Sequence, residues 1–205
     1  MSTKATLALT LLAWGGLGAF GFWRLWEYET TPGAAGTPAR RWPAGTSVPL
    51  DPSRPTLVLL LHPRCPCARA SLDELERLVA RCRGLMTVHV LACKPRGFPA
   101  GWERTGLWRR AEAIPGVSVH GDEGGDEAAR FGAVTSGDAR LYDPRGRLLF
   151  RGGLTDTRGH AGGSAGCAAI RALLAGEPAA TSETPVYGCP LCQPEAPPVE
   201  ESWEP

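Results

Sequence analysis

The order of apolar and polar positions from residue 56 onward predicts alternating strands and helices. Residues 56–61 form a continuous apolar run after a proline, which is typical of a strand buried on both faces. An amphipathic helix is predicted next, with apolar side chains at helical spacing at Leu72, Leu75, Leu78, Val79 and Cys82. Residues 85–93 are again mostly apolar and predict a second strand, so the first unit is strand–helix–strand with a parallel pair.

Further helices, an edge strand and an antiparallel hairpin are predicted after this unit. The predicted helices are residues 102–114, 126–131 and 164–174, and the predicted strands are residues 117–120, 139–143 and 147–151. A Pro-Arg-Gly turn joins the last two strands into a hairpin, and Ser164 is the expected N-cap of the last helix. This order is typical of a thioredoxin-like α/β fold, a three-layer sandwich with a mixed parallel and antiparallel sheet between flanking helices.

An uncharged, mostly apolar run near the N-terminus begins at Ala5 and ends at Trp23. At about 1.5 Å per residue, a helix of this length approaches the roughly 30 Å of a bilayer core. Residues 1–29 are therefore predicted to hold one transmembrane helix, with a cleaved signal peptide as the alternative. Lys4 precedes the run, which favours a single pass with the short N-terminal end inside. The rest of the chain is then expected to face the periplasm or the exterior of a bacterial cytoplasmic membrane.

The rest of the chain divides into a linker, a domain and a tail. Residues 30–55 contain repeated prolines and predict a semi-rigid linker. Residues 56–176 form the predicted thioredoxin-like domain, and residues 177–205 form a tail that contains proline and cysteine. Lys and Arg number 22 against 21 Asp and Glu, so no basic surplus indicates a nucleic-acid partner.

Two of the seven cysteines flank a proline at the predicted strand-to-helix turn, as Cys65-Pro66-Cys67. Seven cysteines are many for a reducing cytosol, and the odd number leaves at least one thiol free, metal-bound or paired outside the chain. Cys65 is predicted at or just before the helix N-terminus, whose unpaired N–H groups stabilise a thiolate, with Pro66 at the first helical position. Arg64 and Arg69 add positive charge, so we expect Cys65 to have a depressed pKa and to act as an attacking or ligating thiolate.

Several segments carry a resemblance to known proteins. Residues 59–75, LLLHPRCPCARASLDEL, resemble the redox-site strand–turn–helix of the thioredoxin-like superfamily. Residues 131–153 resemble the hairpin of membrane-anchored thioredoxins and of relatives of alkyl hydroperoxide reductase. With the RGH loop at residues 158–160 and the VYGCP tail at residues 186–190, the chain is more similar still to a membrane-anchored bacterial group described as RedB-like. This resemblance implies a thiol-disulfide oxidoreductase that acts on protein thiols or disulfides.

The chain departs from the thioredoxin pattern at two positions. Ala68 stands where the second cysteine of a Cys-x-x-Cys pair is expected, and Ser136-Gly137 stands where the resemblance places a proline facing that pair. A Cys65–Cys67 bond would close a very small ring that strains the preferred disulfide geometry. Such a bond suits an oxidant, an isomerase or a metal clamp better than a strong reductant.

The tail offers other partners for Cys65. Cys189 and Cys192 form a second Cys-x-x-Cys, and the tail is long enough to cross back over the domain. These two thiols are interpreted either as a disulfide within the tail or as a resolving pair for Cys65. Cys93 ends the second strand at the edge where the redox centre should lie, and it is either a bystander or a partner.

Histidines widen the choice of chemistry. His160 lies in a glycine-rich loop that should emerge at the same end of the sheet as Cys65, where it can serve as a base or a ligand, and His62 is a second candidate. The predicted catalytic residues are Cys65, Cys67, Cys189, Cys192 and His160. Two thiolates and an imidazole suit Cu(I) or Zn(II), so copper handling by Cys65, Cys67 and His160 is one alternative. A non-catalytic binding module is the other, and cofactor-free thiol-disulfide exchange is favoured over both.

Overall fold

The computed structural model describes residues 3–192. The chain divides into two units, residues 1–31 and residues 32–205. The first unit contains helix α1, Thr3–Thr30. Among the helices of the described residues, none is both long enough and apolar enough to cross a bilayer. The transmembrane helix predicted from the sequence is thus not found among these residues.

The second unit is built on a five-stranded mixed sheet with flanking helices. The strands are β1 (Thr56–Leu61), β2 (Thr87–Lys94), β3 (Val117–Glu123), β4 (Asp138–Tyr142) and β5 (Leu148–Gly153). The helices are α2 (Ala68–Arg81), α3 (Gly106–Glu112), α4 (Asp126–Phe131) and α5 (Ala165–Leu174). The strand order is β3-β2-β1-β4-β5, with β1 to β3 parallel, β4 antiparallel to β1, and β5 antiparallel to β4. The predicted mixed sheet between helices is confirmed, and this arrangement is a thioredoxin-like fold.

Strand β1 lies at the centre of the sheet and contributes to an apolar core on each face. Its odd-numbered residues pack on one face with side chains of α2, α3 and α5, including Leu72, Leu75, Leu78, Trp108 and Ile170. Its even-numbered residues Val58 and Leu60 pack on the other face with Phe131 of α4 and Tyr142 of β4. Because both faces are buried, β1 reads as a continuous apolar run rather than an alternating one.

Residues 32–55 pack on the second face of the sheet. Trp42 contacts Phe131 and Tyr142 edge to face, with ring centroids 5.2 and 5.1 Å apart, and Val48 is buried. The N–H of Leu148 donates to the carbonyl of Arg40 at 3.0 Å, which ties this segment to β5. This differs from the spacer predicted from its prolines. The prolines exclude regular structure here, but the apolar side chains between them still cover the core.

The bounds of α3 and β3 differ most from the predicted ones. Helix α3 begins at Gly106 rather than at residue 102, because the hydroxyl of Thr105 accepts the N–H of Leu107 and caps the helix there. Strand β3 extends to Glu123, where Lys94 pairs with it in register. The N-cap predicted at Ser164 is confirmed, since its hydroxyl accepts the N–H of Cys167.

Candidate functional site

Cys65 lies in a short turn between the end of β1 and the start of α2. The N–H of Cys65 donates to the carbonyl of His62 at 3.0 Å, and the N–H of Ala68 donates to the carbonyl of Cys65 at 3.2 Å. Helix α2 begins at Ala68 with Cys67 as its N-cap, so Pro66 lies in the turn and not at the first helical position as predicted. The reason is that the chain bonds in tight three-residue steps from Cys65 to Cys67 before α-helical bonding starts. Cys65 therefore lies ahead of the helix N-terminus.

Several donors surround the sulfur of Cys65, which is only 1% exposed. Burial raises the pKa of this thiol, but the backbone N–H and the thiol of Cys189 both donate hydrogen bonds to it. The N–H of Ala68 and the hydroxyl of Ser136 donate as well. The hydrogen bonds outweigh burial, so the pKa of Cys65 lies below that of an ordinary thiol. The depressed pKa predicted at this position thus has a different main source from the helix terminus and arginines of the sequence argument.

The pKa values of the two neighbouring thiols, Cys67 and Cys189, are shifted upwards. Burial raises the pKa of Cys67, and negative charge on Cys65 raises it further, although the Arg158 guanidinium opposes both. Burial and the hydrogen bond to Cys65 raise the pKa of Cys189 to about 12. In this cluster of Cys65, Cys67 and Cys189, one sulfur is set up as the thiolate, and the other two stay protonated and donate to it.

The C-terminal segment crosses back over the domain and brings Cys189 to this cluster. The N–H of Ser136 donates to the carbonyl of Cys189 at 2.8 Å, and the N–H of Leu191 donates to the carbonyl of Val134 at 2.9 Å. The guanidinium of Arg158 donates to the carbonyl of Gly188 at 2.7 Å. The tail is therefore fixed by backbone pairing against the loop that precedes β4.

The second tail cysteine is bonded elsewhere. Cys192 forms a disulfide with Cys93 at the end of β2, with Cα atoms 5.8 Å apart and a sequence separation of 99. The disulfide within the tail that the sequence allowed, Cys189–Cys192, is therefore wrong, because the tail backbone turns Cys192 towards β2 instead. Cys65, Cys67 and Cys189 are free thiols.

The histidine predicted to act on the thiols lies outside the cluster. His160 is exposed, and its Nδ1 lies 2.7 Å from the carbonyl oxygen of Arg158. Arg158, two residues earlier in the same loop, is the side chain whose charge acts on Cys67 and Cys189. The loop lies at the same end of the sheet as Cys65, as predicted, but the side chain that reaches the thiols is the guanidinium of Arg158 and not the imidazole of His160.

Ser136 is the other functional residue that the sequence did not identify. Its hydroxyl accepts the N–H of His62 at 2.9 Å and also donates to Cys65. The available signal was the Ser136-Gly137 pair at the position that faces the redox turn. A serine there supplies a hydrogen-bond donor that a proline lacks.

A different set of metal-type ligands comes together in the described residues. The ligand atoms of His62, Cys93 and Cys192 lie within 4.8 Å of one another. The two cysteines of this group are bonded to each other in the disulfide. Cys65, Cys67 and His160 do not form such a group there. Copper binding by that predicted set stays a prediction.

Comparisons with known proteins identify the fold. No protein-family model matches the chain. No curated protein matches it either. A crystal structure of a hypothetical protein from Sinorhizobium meliloti is 22% identical with a TM-score of 0.59, covering 80% of this chain and 94% of that one. An uncharacterized conserved protein from Geobacillus kaustophilus is 21% identical with a TM-score of 0.60, covering 82% of this chain and 95% of that one.

A more distant similarity is to a secreted disulfide oxidoreductase of Mycobacterium tuberculosis, at 15% identity and a TM-score of 0.45, over 62% of this chain and 84% of that one. At these identities, the likeness to the Sinorhizobium and Geobacillus proteins concerns the fold. The narrower RedB-like resemblance stays a prediction.

Proposed function

We propose that this chain is a thiol-disulfide oxidoreductase that exchanges disulfides with protein thiols through Cys65, with Cys189 as the resolving thiol. The observation that supports it best is the hydrogen bond from the Cys189 thiol to the Cys65 sulfur. It places side by side a sulfur that favours the thiolate and a sulfur that favours the thiol. The first attack needs a thiolate at Cys65, and Cys189 has to stay protonated until the mixed disulfide has formed.

The exchange balances with these two residues. The Cys65 thiolate attacks one sulfur of a client disulfide, and the client's other sulfur leaves as a thiolate and takes up a proton. Cys189 then loses its proton and attacks the Cys65 sulfur, so a Cys65–Cys189 bond forms and the second client thiol is released. The client gains two electrons from the two enzyme sulfurs, one proton from Cys189 and one proton from the solvent, into which Cys65 had released its own. The reverse sequence oxidises a client dithiol.

The pKa pattern supports the switch of nucleophile between the two steps. In the resting cluster, burial and the charge on Cys65 together raise the pKa of Cys189. Once Cys65 is held in a mixed disulfide, its charge and its role as hydrogen-bond acceptor are gone. The charge of Arg158 then remains to favour a Cys189 thiolate. Cys189 therefore becomes a better nucleophile at the step in which it is needed.

Cys67 is assigned a supporting part. It is one residue from Cys65 across a proline, so a bond between them would close the very small ring already described. Its thiol hydrogen-bonds to Cys65, and its own pKa is raised. We propose that Cys67 stabilises the Cys65 thiolate rather than resolving the mixed disulfide.

We also propose that the protein works in an oxidising compartment. The Cys93–Cys192 disulfide supports this location, because such bonds persist outside the reducing cytosol. Membrane attachment forms no part of the proposal.

The assignment is tested by mapping bonds at controlled redox potential. The full chain is equilibrated anaerobically in graded dithiothreitol mixtures, quenched in acid, alkylated and mapped by mass spectrometry. We expect a reversible Cys65–Cys189 bond that persists in Cys67→Ser and is lost in Cys189→Ser. A reversible Cys65–Cys67 bond with Cys189 free, or no reversible bond at Cys65, would contradict the proposal.

Turnover gives a second readout of the same assignment. With a model peptide disulfide as substrate and dithiothreitol as electron donor, Cys65→Ser should be inactive. Cys189→Ser should accumulate the mixed disulfide and turn over about tenfold more slowly or worse, because resolution is lost. Cys82→Ser is the matched control, since Cys82 is a buried thiol at the far end of α2.

A further inference from the structure

The C-terminal segment occupies the surface next to Cys65 that a protein client would need. This tail segment, residues 182–192, pairs with the loop before β4 through the Ser136 and Val134 backbone, with an antiparallel bridge between Thr135 and Pro190. It leaves the Cys65 side chain 1% exposed. The tail therefore presents a cysteine to Cys65 in extended, antiparallel form while excluding any other chain.

We infer that residues 134–136 are a docking edge for an extended, cysteine-bearing segment of a client protein, and that the Cys93–Cys192 disulfide holds the tail segment on this edge as a latch. The inference rests on the proposed function, because it takes Cys65 as the thiol that the docked cysteine must reach. The tail is bound by two backbone groups, the Ser136 N–H and the Val134 carbonyl. Such bonds do not depend on the side chains of the bound segment. These two groups can bind any extended segment that brings a cysteine to the same place.

The position before the docked cysteine sets a requirement on the client. A Cβ atom on Gly188 would overlap the carbonyl oxygen of Ser136, so the backbone can approach this closely only at glycine. Arg158 also donates to the Gly188 carbonyl at 2.7 Å. The edge therefore favours a Gly-Cys sequence over one with a larger residue before the cysteine.

The position of the Cys93–Cys192 disulfide lets it control whether the tail segment stays bound to the docking edge. On its N-terminal side the tail is held beside β5, where the N–H of Gly153 donates to the carbonyl of Pro185 at 3.2 Å. On its C-terminal side it is tied covalently to the buried Cys93. With both sides fixed, residues 186–191 cannot swing away as a unit. Once the bond is cut, backbone hydrogen bonds and packing hold the C-terminal side alone.

A dithiol reductant opens the latch. One of its thiolates attacks a sulfur of the Cys93–Cys192 bond to give a mixed disulfide, and its second thiol then displaces the first protein sulfur from it. The reductant becomes a disulfide, and Cys93 and Cys192 each end as a thiol, so two electrons and two protons have moved. The docking edge then becomes available to a client.

Capture of a peptide by Cys65 tests both parts of the inference. The probe is a short synthetic Gly-Cys peptide whose thiol carries a thionitrobenzoate group. Release of that group beyond the release seen in the matching Cys65→Ser background reports attack by Cys65. The full chain is used with the Cys93–Cys192 bond intact and Cys65 free, and is compared with Cys192→Ser. We expect capture to be about tenfold faster or more in the variant, because local opening no longer has to work against the bond. The same peptide with Ala-Cys should be captured more slowly by the unlatched variant.

A second variant displaces the tail without removing a cysteine. Gly188→Ala forces the tail away from Ser136 and should also speed capture with the disulfide intact. Gly121→Ala is its matched control, because a Cβ there makes only ordinary van der Waals contact, with the Glu103 side chain at 3.8 Å. Hydrogen exchange of residues 182–192 should rise in Gly188→Ala and Cys192→Ser and stay unchanged in the control.

The outcomes separate this inference from the proposed function. If a small unhindered disulfide fails to react with Cys65 in every form, the proposed function itself is overturned. If it reacts normally but peptide capture is equal in the wild type and in both tail variants, the latch is overturned. If Gly-Cys and Ala-Cys peptides are captured alike by Cys192→Ser, the docking edge is overturned.

Discussion

The Ser136 hydroxyl connects the backbone before the Cys65 turn to the Cys65 sulfur. It accepts the N–H of His62 at 2.9 Å and donates to Cys65, where its bond is among those that hold the pKa of that thiol down. Ser136→Ala should therefore raise the pKa of Cys65 towards that of an ordinary thiol. Alkylation of Cys65 at neutral pH should slow by about three- to tenfold, because a hydrogen bond to a charged group is lost. The measurement is the ultraviolet absorbance of the thiolate as a function of pH, with Cys65→Ser as the blank.

Ser136→Thr is the control for this residue, since it keeps the hydroxyl and should leave the titration close to that of the wild type. An unchanged titration in Ser136→Ala would mean that the Cys189 and Ala68 donors alone set the pKa of Cys65. The same residue shows where sequence reasoning reached its limit. The pattern predicted a depressed pKa at Cys65, but three of the four donors that lower it belong to Ser136 and Cys189, 71 and 124 positions away, and no local spacing records them.

Strand β4 carries a buried charge pair into the middle of the sheet. Asp138 and Arg140 form an ion pair at 2.6 Å, and their side chains are only 4% and 2% exposed. Burial raises the pKa of Asp138 to about 6 although Arg140 opposes it, so the carboxylate is charged at neutral pH. Asp138→Asn should leave the guanidinium without its counter-charge and lower the free energy of unfolding by about 3–5 kcal/mol.

Urea denaturation at neutral pH measures this loss. The double variant Asp138→Asn with Arg140→Met removes both charges and should recover part of the stability, because no unpaired charge stays buried. A loss below about 1 kcal/mol in the single variant would indicate that Arg140 is compensated by other groups, such as the Gly132 carbonyl that it contacts at 3.2 Å.

Most strands and helices of the second unit were predictable because each carries a local signal. The run at β1 and the helical spacing in α2 arise from burial of the same side chains that the structure places in the core. Segments without such periodicity were not predictable. Residues 32–55 and 182–192 are both irregular, and both are held by contacts with distant strands rather than by a pattern of their own.

Pairing of cysteines is a property of the whole molecule for the same reason. Cys93 and Cys192 are 99 residues apart, and only the path of the tail across the domain brings them together. The sequence left open whether Cys65 pairs with Cys67 or with a tail cysteine, and whether Cys189 pairs with Cys192. In the structure Cys192 is bonded to Cys93, and Cys65, Cys67 and Cys189 are free thiols.

The stability of the whole molecule should fall in mild acid because of a histidine pair between β2 and β3. His89 is 3% exposed, and its Nδ1 lies 3.0 Å from Nε2 of His120. Burial, together with the charge of His120, lowers the pKa of His89 to about 4. Between its ordinary pKa of 6.5 and this folded value, the unfolded chain binds more protons than the folded one. The stabilisation is therefore complete above the ordinary value and is lost as the pH falls through this window, by up to about 3 kcal/mol.

The test compares the free energy of unfolding at about pH 7 and about pH 5 in the wild type and in His89→Gln. The wild type should lose more stability than the variant over this interval, because glutamine does not titrate. Asp122 and Asp138 have raised pKa values that act in the opposite direction, but both proteins contain them, so their effect cancels in the difference. Equal losses would show that the folded protein accommodates a charged His89, which requires the sheet to open between β2 and β3 and admit water to the pair.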